Sequence, residues 1–291
     1  MRALRIHAYG GPEVMRLEDV PVPTAGSGDV LLKIAAASVN PIDWKMRQGL
    51  IKLPLPRVLG RDGAGIDTAS GKRVLGIGSF GRDGTHAEYA VLAQEFCAEI
   101  PPQLTFEQAA AIGIAGLSAW IPLVEDAGVA AGQRVLIHAG AGGVGGFAIQ
   151  IARKRGAEVW TTCSAGNADF CLGLGASRVI DYTREDFTSA GPIFDVVFDT
   201  IGGSVHRPSA EVLKPGGILV FLQAAPAERV ERSDARIKQA EIRATPERLK
   251  ALMDFGFQIA IQTRLPLERA AEAYELSRGG HARGKIVLQM S

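Results

Sequence analysis

Short stretches of alternating apolar and polar residues fill the first third of the chain, and glycine and proline interrupt them at irregular intervals. Alternation with a period of two is typical of β-strands that bury one face, and the interrupting residues are typical of turns. The pattern predicts a coiled, barrel-like β domain without a stack of helices. The predicted strands are 3–7, 30–37, 63–67, 73–77 and 86–92.

The pattern changes near Thr105, which stands three residues before Gln108 as in the capping box of a helix. Nearly continuous apolar strands then alternate with helices, which is typical of a parallel sheet covered on both faces. The predicted strands are 134–139, 157–163, 177–181, 193–200 and 218–223. The predicted helices are 118–126, 144–155, 167–174 and 204–213.

The last part of the chain returns to shorter elements. The mixed charges of residues 228–243 favour a solvated helix or loop, and Thr245-Pro246-Glu247 is a good helix start. Predicted helices 246–255 and 267–277 and strands 257–262 and 285–289 follow. The predicted organisation is therefore an α/β domain, 108–245, inserted into a β-rich domain, 1–107 plus 246–291.

Composition excludes several classes of protein. Of 291 residues, 47% are apolar and 22% charged, with a formal net charge of +1. This balance is typical of a soluble globular protein and gives no electrostatic reason for a nucleic-acid or membrane partner. We expect no apolar run of membrane-spanning length and no signal peptide. Three dispersed cysteines predict reduced thiols in a cytoplasmic compartment.

One glycine-rich turn carries the chemistry of the predicted α/β domain. Gly140, Gly142 and Gly145 spell G-x-G-x-x-G between a predicted strand and a predicted helix. In such a unit the glycines permit a tight turn, close approach of a pyrophosphate and close helix packing. Gly143 and Val144 would present free N–H groups to the phosphates at the helix N-terminus. The motif predicts a dinucleotide site.

The end of the second strand of this domain favours NADPH over NADH. An NAD site usually keeps an acidic residue there to bind the ribose 2′-hydroxyl. Ser164 and Asn167 occupy this segment instead, and neither would repel a 2′-phosphate. The alternative role of Asn167 is to cap the following helix.

Several short motifs occur in an order and spacing that resemble a known family, the zinc-free quinone oxidoreductase (zeta-crystallin-like) branch of the medium-chain dehydrogenase/reductase superfamily. The resemblance spans essentially the whole chain. It is carried by Tyr9-Gly-Gly-Pro-Glu-Val14, Asn40-Pro-Ile-Asp-Trp-Lys45, Leu59-Gly-Arg-Asp-Gly-Ala-Gly65, Gly84-Thr-His-Ala-Glu-Tyr-Ala90, Ala110-Ala-Ile112, Ala139-Gly-Ala-Gly-Gly-Val-Gly145, Leu174-Gly-Ala176, Ile180-Asp-Tyr182 and Gly284-Lys-Ile-Val-Leu288.

The resemblance implies a GroES-like domain with an inserted Rossmann domain and a nicotinamide bound between them. It also implies an NADPH-dependent reductase of quinones or α,β-unsaturated carbonyls, commonly a homodimer. Two alternatives from other classes are a protein of this fold that binds NADPH without turnover, and a methyltransferase. The missing acid after the second strand and the GroES-like motifs disfavour the methyltransferase.

The sequence differs from the zinc-dependent relatives at the positions of their zinc ligands. Those relatives carry a Cys near Ala37-Ser38-Val39, and a His-Glu pair where this chain has Arg61-Asp62. We therefore expect no metal site. The segments after Gly65 and after Gln223 look shorter than in typical relatives.

Further cofactor residues follow from the resemblance and from the carboxyl edge of the predicted sheet, where such folds bind ligand. Tyr182 would line the phosphate pocket, and Ser118 would lie near the nicotinamide ribose unless it is an ordinary helix residue. Asp199 ends a strand there and would bind ligand or cap the next helix. The remaining cofactor residues at this edge are Thr200, Phe221, Leu222 and Gln223.

The expected catalytic residues lie in the Asn40–Lys45 segment. Asn40 would lie close to the nicotinamide, and Lys45 would face the substrate carbonyl as a hydrogen-bond or proton donor. The alternative is a surface Lys45 paired with Asp43. Lys285 is expected to be solvated, and His138 to be a core histidine with satisfied hydrogen bonds.

Overall fold

The computed structural model describes residues 1–222 and 230–290 of the chain. The chain divides into two compact units, Met1–Leu117 with Arg243–Ser291 (unit 1) and Ser118–Ile242 (unit 2). The domain limits proposed from the sequence differ from these in assigning residues 108–117 and 243–245 to the inserted domain.

The elements follow in chain order. The strands are β1 (Arg2–Ile6), β2 (Met15–Asp19), β3 (Asp29–Val39), β4 (Arg57–Val58), β5 (Asp62–Asp67), β6 (Arg73–Ile77), β7 (Tyr89–Ala93), β8 (Cys97–Glu99), β9 (Arg134–Ile137), β10 (Glu158–Cys163), β11 (Arg178–Asp181), β12 (Phe194–Asp199), β13 (Leu213–Phe221), β14 (Arg236–Gln239), β15 (Ile261–Pro266) and β16 (Lys285–Gln289). The helices are α1 (Pro41–Arg47), α2 (Phe106–Trp120), α3 (Gly143–Lys154), α4 (Ala168–Gly173), α5 (His206–Glu211), α6 (Pro246–Asp254) and α7 (Ala270–Arg278).

Unit 1 is built around a seven-stranded sheet in which β3 pairs with β5, β7 and β16. A separate three-stranded sheet has the order β2-β1-β4. Leu4, Leu59, Tyr274 and Leu288 belong to the buried core that includes residues from both sheets and from α7. This is the β-rich domain expected from the alternating pattern, with α1 as a short helix directly after β3.

Unit 2 contains a six-stranded parallel sheet in the order β11-β10-β9-β12-β13-β14. Counted from β9, this is the strand order 3-2-1-4-5-6 of a doubly wound dinucleotide-binding sheet. Val135, Leu136 and Ile137 of the central strand β9 are completely buried, as a sheet covered on both faces requires. The predicted fold class, a GroES-like β-rich domain with an inserted Rossmann domain, is confirmed.

The mixed-charge run was wrongly expected to be helix or loop throughout. Its residues Arg236–Gln239 form β14, which pairs in parallel with β13. β14 is an edge strand, so its side chains do not need to be apolar on both faces, and charged residues are typical of exposed sheet edges.

Two other predicted strands are displaced. The strand predicted from residue 86 begins at Tyr89, because Gly84 and His86 donate backbone hydrogen bonds to Val58 and Leu59 instead. The strand predicted at 257–262 is observed four residues later as β15, Ile261–Pro266, where it pairs in parallel with β16.

The expected capping box is confirmed at Thr105, whose hydroxyl accepts from the Gln108 N–H at 3.2 Å and whose N–H donates to Gln108 Oε1 at 2.9 Å. The helical segment that follows, Phe106–Asp126, is 21 residues long and apolar enough to span a membrane, contrary to expectation. However, 72% of its most apolar window is buried within the protein, which is typical of a core helix.

Candidate functional site

The glycine-rich turn follows β9 and leads into α3. A Cβ at Gly140 would lie 2.1 Å from Thr161 Oγ1, and one at Gly145 would lie 2.2 Å from the Ala139 carbonyl oxygen. Packing therefore requires glycine at both positions. At Gly142 a Cβ would lie 3.3 Å from the same oxygen, a close contact that a small shift would relieve, and it would meet no other atom within 4 Å.

Gly142 is the N-cap residue of α3 and has no side chain to cover the helix end. The first N–H groups of a helix have no partner inside the helix. At α3 these groups belong to Gly143, Val144 and Gly145, which together with the helix dipole form a site suited to phosphate. The structure thus gives the predicted dinucleotide turn the geometry that phosphate binding needs.

The segment after β10 carries no acidic side chain as far as Asn167. Asn167 Nδ2 donates to Ser164 Oγ at 3.1 Å, and Asn167 makes no side-chain capping bond to α4. Tyr182, after the neighbouring strand β11, is 57% exposed. The β10 strand thus ends without the carboxylate that an NAD site keeps there, and the nearby acid is Asp181 at the end of β11, whose carboxylate faces the Ala165 N–H.

At the carboxyl ends of β12 and β13 most polar side chains form hydrogen bonds with other groups of the protein. Asp199 Oδ1 accepts from the N–H groups of Ile201 and Gly202, both at 2.8 Å, and its Oδ2 contacts His206 Nδ1 at 2.9 Å. Asp199 therefore stabilises the turn after its strand, whereas the helical segments that begin after Gly202 and after Val205 have no side-chain cap hydrogen bond. Thr200 Oγ1 donates to the His138 carbonyl oxygen at 2.8 Å.

The other residues assigned to this edge lie beside these groups. The buried Phe221 ring packs edge-on against His206, with ring centroids 4.5 Å apart. Leu222 donates its N–H to the Asp199 carbonyl oxygen at 3.2 Å. Ser118 is buried within α2, and Gln223 lies outside the described residues.

His138 is a core histidine, as expected. Its Nδ1 contacts Thr162 Oγ1 at 3.2 Å and its Nε2 contacts Ser209 Oγ at 3.0 Å. Burial lowers the His138 pKa to about 4, so the ring is neutral at physiological pH.

In unit 1 the predicted substrate segment begins at the end of β3. Asn40 is the N-cap residue of α1, and Asp43 Oδ2 accepts its N–H at 2.7 Å. Lys285 Nζ donates to Asn40 Oδ1 at 2.6 Å, while Asn40 Nδ2 donates to Asp62 Oδ1 at 3.2 Å. Both ends of the Asn40 amide are thus held by side chains from other elements.

Asp62 is the centre of this polar cluster. It accepts from Ser38 Oγ at 2.6 Å and from the Ile114 N–H at 2.8 Å. The second bond is possible because α2 is kinked at Gly113, where a Cβ would lie 2.7 Å from Asp62 Oδ2. In residues 1–222 and 230–290, no group of three or more His, Cys, Asp or Glu is placed to hold a metal.

Lys285 was wrongly expected to be solvated, since it is only 4% exposed. The reason is tertiary: β16 pairs with β3, and Ile286 lies opposite Val39, so Lys285 reaches the start of α1. Burial lowers the Lys285 pKa, and the nearby carboxylates of Asp62 and Asp43 oppose this effect. Ser38 and Asp62 were also missed as partners of Asn40.

Asp43 has no solvent exposure, and burial raises its pKa to about 7. The Asn40 N–H opposes this shift, and the charge of Asp62 adds to it. Asp43 Oδ1 is buried and has no hydrogen-bond partner in the part of the chain that the structure describes. The alternative pairing of Asp43 with Lys45 is therefore not observed.

Lys45 is half-buried, and this burial lowers its pKa. Its Nζ lies 5.5 Å from the centroid of the Trp44 ring. A lysine with a lowered pKa can donate a proton more readily than a solvated one.

Comparison with known proteins agrees with this architecture. Residues 26–102 match the alcohol dehydrogenase GroES-like domain, and residues 174–288 match the zinc-binding dehydrogenase domain. A 2-methylene-furan-3-one reductase from Solanum lycopersicum is 32% identical, with 99% of this chain and 79% of the relative covered. That alignment extends over 318 positions, so the relative has residues that this shorter chain lacks.

Solved structures show the same similarity. The quinone oxidoreductase from Coxiella burnetii is 36% identical, with a TM-score of 0.92 over 100% of this chain and 99% of its own. The Escherichia coli quinone oxidoreductase complexed with NADPH is 25% identical, with a TM-score of 0.89 over 99% of this chain and 100% of its own. With its GroES-like and Rossmann folds and these relatives, the chain belongs to the zinc-free quinone oxidoreductase branch of the medium-chain dehydrogenase/reductases and is an oxidoreductase.

Proposed function

We propose that this protein is an NADPH-dependent reductase that transfers hydride to a quinone or to the β-carbon of an α,β-unsaturated carbonyl. The observation that carries the proposal is the open glycine turn at the start of α3 beside a strand end without an acid. The NADPH complex of the Escherichia coli relative and the furanone reductase name of the tomato relative support it.

The chain's own residues fit the cofactor. Gly140, Gly142 and Gly145 shape the turn, and the N–H groups of Gly143 and Val144 bind the pyrophosphate. Ser164, Asn167 and Tyr182 donate hydrogen bonds to the 2′-phosphate, while Ser118, Thr200, Phe221 and Leu222 line the nicotinamide half; the expected role of Gln223 there lies outside the described residues. Bound NADPH supplies the hydride, and the protein supplies position and electrostatics.

On the substrate side, Lys45 hydrogen-bonds the acceptor's carbonyl oxygen while negative charge develops there. Its lowered pKa also suits it to give that oxygen a proton. Asn40 positions the reacting partners, and Asp43 holds the Asn40 backbone at the start of α1. This division of roles needs no acid–base dyad.

We further propose that the protein works in the cytoplasm as a homodimer, with a small-molecule acceptor and without a nucleic-acid or membrane partner. The near-neutral net charge of +1 supports the last point. Size-exclusion chromatography with light scattering tests the dimer, and a monomer at micromolar concentration would contradict it.

The function is tested by following NADPH oxidation, with NADH controls, against 1,4-benzoquinone, 9,10-phenanthrenequinone, an alkenal and a cyclic enone. We expect NADPH-preferring turnover with at least one acceptor class. Turnover of quinones alone assigns quinone reduction, and turnover of the enal or enone assigns double-bond reduction. NADPH binding without turnover of any acceptor would overturn the proposal in favour of a non-catalytic binding protein.

A further inference from the structure

Arg57 and Arg61 both contact Phe80, and Arg61 directly precedes Asp62, the centre of the polar cluster around Asn40. Arg57 is 7% exposed and donates from Nη2 to the Phe80 carbonyl oxygen. The Arg61 guanidinium carbon lies 3.9 Å from the centroid of the Phe80 ring, so its cation stacks on the ring. The ring itself is 44% exposed. The loop thus holds two cations around one partly open aromatic side chain.

The Arg61 guanidinium has unused hydrogen-bonding capacity. Its Nε and Nη1 atoms are buried and have no hydrogen-bond partner in the described chain. Burying such donors without a partner is energetically unfavourable. Among all described residues, Arg61 and Arg47 are the arginines with a buried guanidinium nitrogen left unpartnered, and Arg47 is already paired with Glu275. Arg61 instead lacks an anionic partner at hydrogen-bond distance.

The nearest acids, Asp43 and Asp62, compensate the Arg61 charge only through space, because neither is hydrogen-bonded to the guanidinium. Asp62 directs its carboxylate at Ser38, Asn40 and Ile114, and Asp43 directs its Oδ2 at the Asn40 N–H. Burial lowers the Arg61 pKa and the Arg57 charge adds to this, although Asp43 and Asp62 oppose it. The Arg61 guanidinium nevertheless stays protonated, because the ordinary pKa of arginine lies far above physiological pH. A planar cation with spare N–H groups is the side chain best suited to a carboxylate.

We propose that Arg61, supported by Arg57 and by stacking on Phe80, recognises a carboxylate carried by the acceptor substrate. The protein then reduces acidic quinones or enones in preference to their neutral counterparts. This inference rests on the proposed function, because it places the carboxylate beside the segment where the acceptor's carbonyl meets Lys45.

The test is a matched pair of acceptors, 4-oxo-2-pentenoate and its methyl ester, which differ in the charge. We expect the wild-type kcat/KM to be higher for the acid. In Arg61→Met the ratio of acid to ester kcat/KM falls at least about tenfold, and in Arg61→Lys it falls less, because lysine keeps the charge but loses the planar fork. Arg16→Met, which removes an exposed charge from β2, is the matched control and keeps the ratio.

Failure of the proposed function is separated from failure of this inference by a binding measurement that needs no turnover. Calorimetry compares 2-naphthoate with 2-naphthamide on the NADPH-loaded protein. The site is supported if the wild-type protein binds 2-naphthoate more tightly than 2-naphthamide and Arg61→Met abolishes this difference. This outcome supports the site even if no acceptor is reduced. Equal binding of acid and amide, or an equal loss of acid and ester turnover in Arg61→Met, overturns it. NADPH titration of the variant shows whether it is folded.

Discussion

Lys285 Nζ donates a hydrogen bond to Asn40 Oδ1 at 2.6 Å, across a separation of 245 residues. The bond fixes which way the Asn40 amide faces, because Oδ1 is taken by the lysine and Nδ2 turns to Asp62 and Ser38. Lys285 is therefore a positioning residue in this cluster, acting through Asn40.

Replacing Lys285 tests this role. In Lys285→Met we expect the acceptor kcat/KM to fall at least about tenfold, equivalent to about 1.4 kcal/mol, since the Asn40 amide loses its anchor. Steady-state kinetics measure the loss, and Lys250→Met, at an exposed lysine of α6, is the control. In an Asn40→Ala background the same change should cost much less. Additive losses would contradict the positioning role.

The glycine-rich turn offers a matched pair of substitutions. Gly145→Ala forces its Cβ against the Ala139 carbonyl oxygen, so we expect destabilisation of about 1–3 kcal/mol. Gly142→Ala meets the same oxygen only at 3.3 Å, which a small shift relieves, so it should fold with little loss of stability. It should bind NADPH more weakly, because the methyl group occupies the space of the pyrophosphate. Urea unfolding and NADPH fluorescence titration measure the two effects. Unchanged NADPH affinity in Gly142→Ala would refute the phosphate assignment.

Cofactor preference depends on the acid-free end of β10. Ser164→Asp places a carboxylate where the 2′-phosphate is expected and where an NAD site binds the ribose hydroxyl. We expect the NADPH-to-NADH ratio of kcat/KM to fall at least about tenfold, or about 1.4 kcal/mol. Ser177→Asp, at the opposite end of the sheet before β11, adds the same charge as a control. An equal change in both variants would reflect overall charge alone.

Lys45 is expected to assist the carbonyl oxygen of the acceptor. Lys45→Met should lower kcat about tenfold to a hundredfold, within the range of a general acid or oxyanion donor. The exposed Lys52, in the same part of the chain, is the matched control as Lys52→Met. Full activity in Lys45→Met would remove this residue from the mechanism and leave the fold and cofactor site unaffected.

His86 makes stability depend on pH. Burial lowers its pKa to about 4, from an ordinary value of 6.5, while it contacts the Tyr274 hydroxyl and the Ser38 carbonyl oxygen. The unfolded chain binds this proton first, so the contribution to stability is complete above pH 6.5 and is lost as pH falls toward 4. Between pH 7.5 and pH 5 we expect His86 to account for a loss of about 2 kcal/mol.

Urea unfolding of wild type and His86→Asn at both pH values checks this, because the other groups titrate alike in both proteins. The exposed His281→Asn is the control. The same decline with acid in His86→Asn as in wild type would contradict the assignment.

The sequence alone determined the two fold types, the Thr105 capping box and the glycine turn, because local periodicity and close packing of glycines leave a pattern along the chain. It also proposed Asn40 and Lys45 as catalytic residues through motif order, and those roles stay predictions. It misjudged Lys285 and the strand Arg236–Gln239, because burial and edge pairing depend on which distant strand lies alongside. The Asp62 cluster and the unpartnered Arg61 were decided by tertiary structure, since the kink at Gly113 and the stacking on Phe80 join segments that share no local pattern.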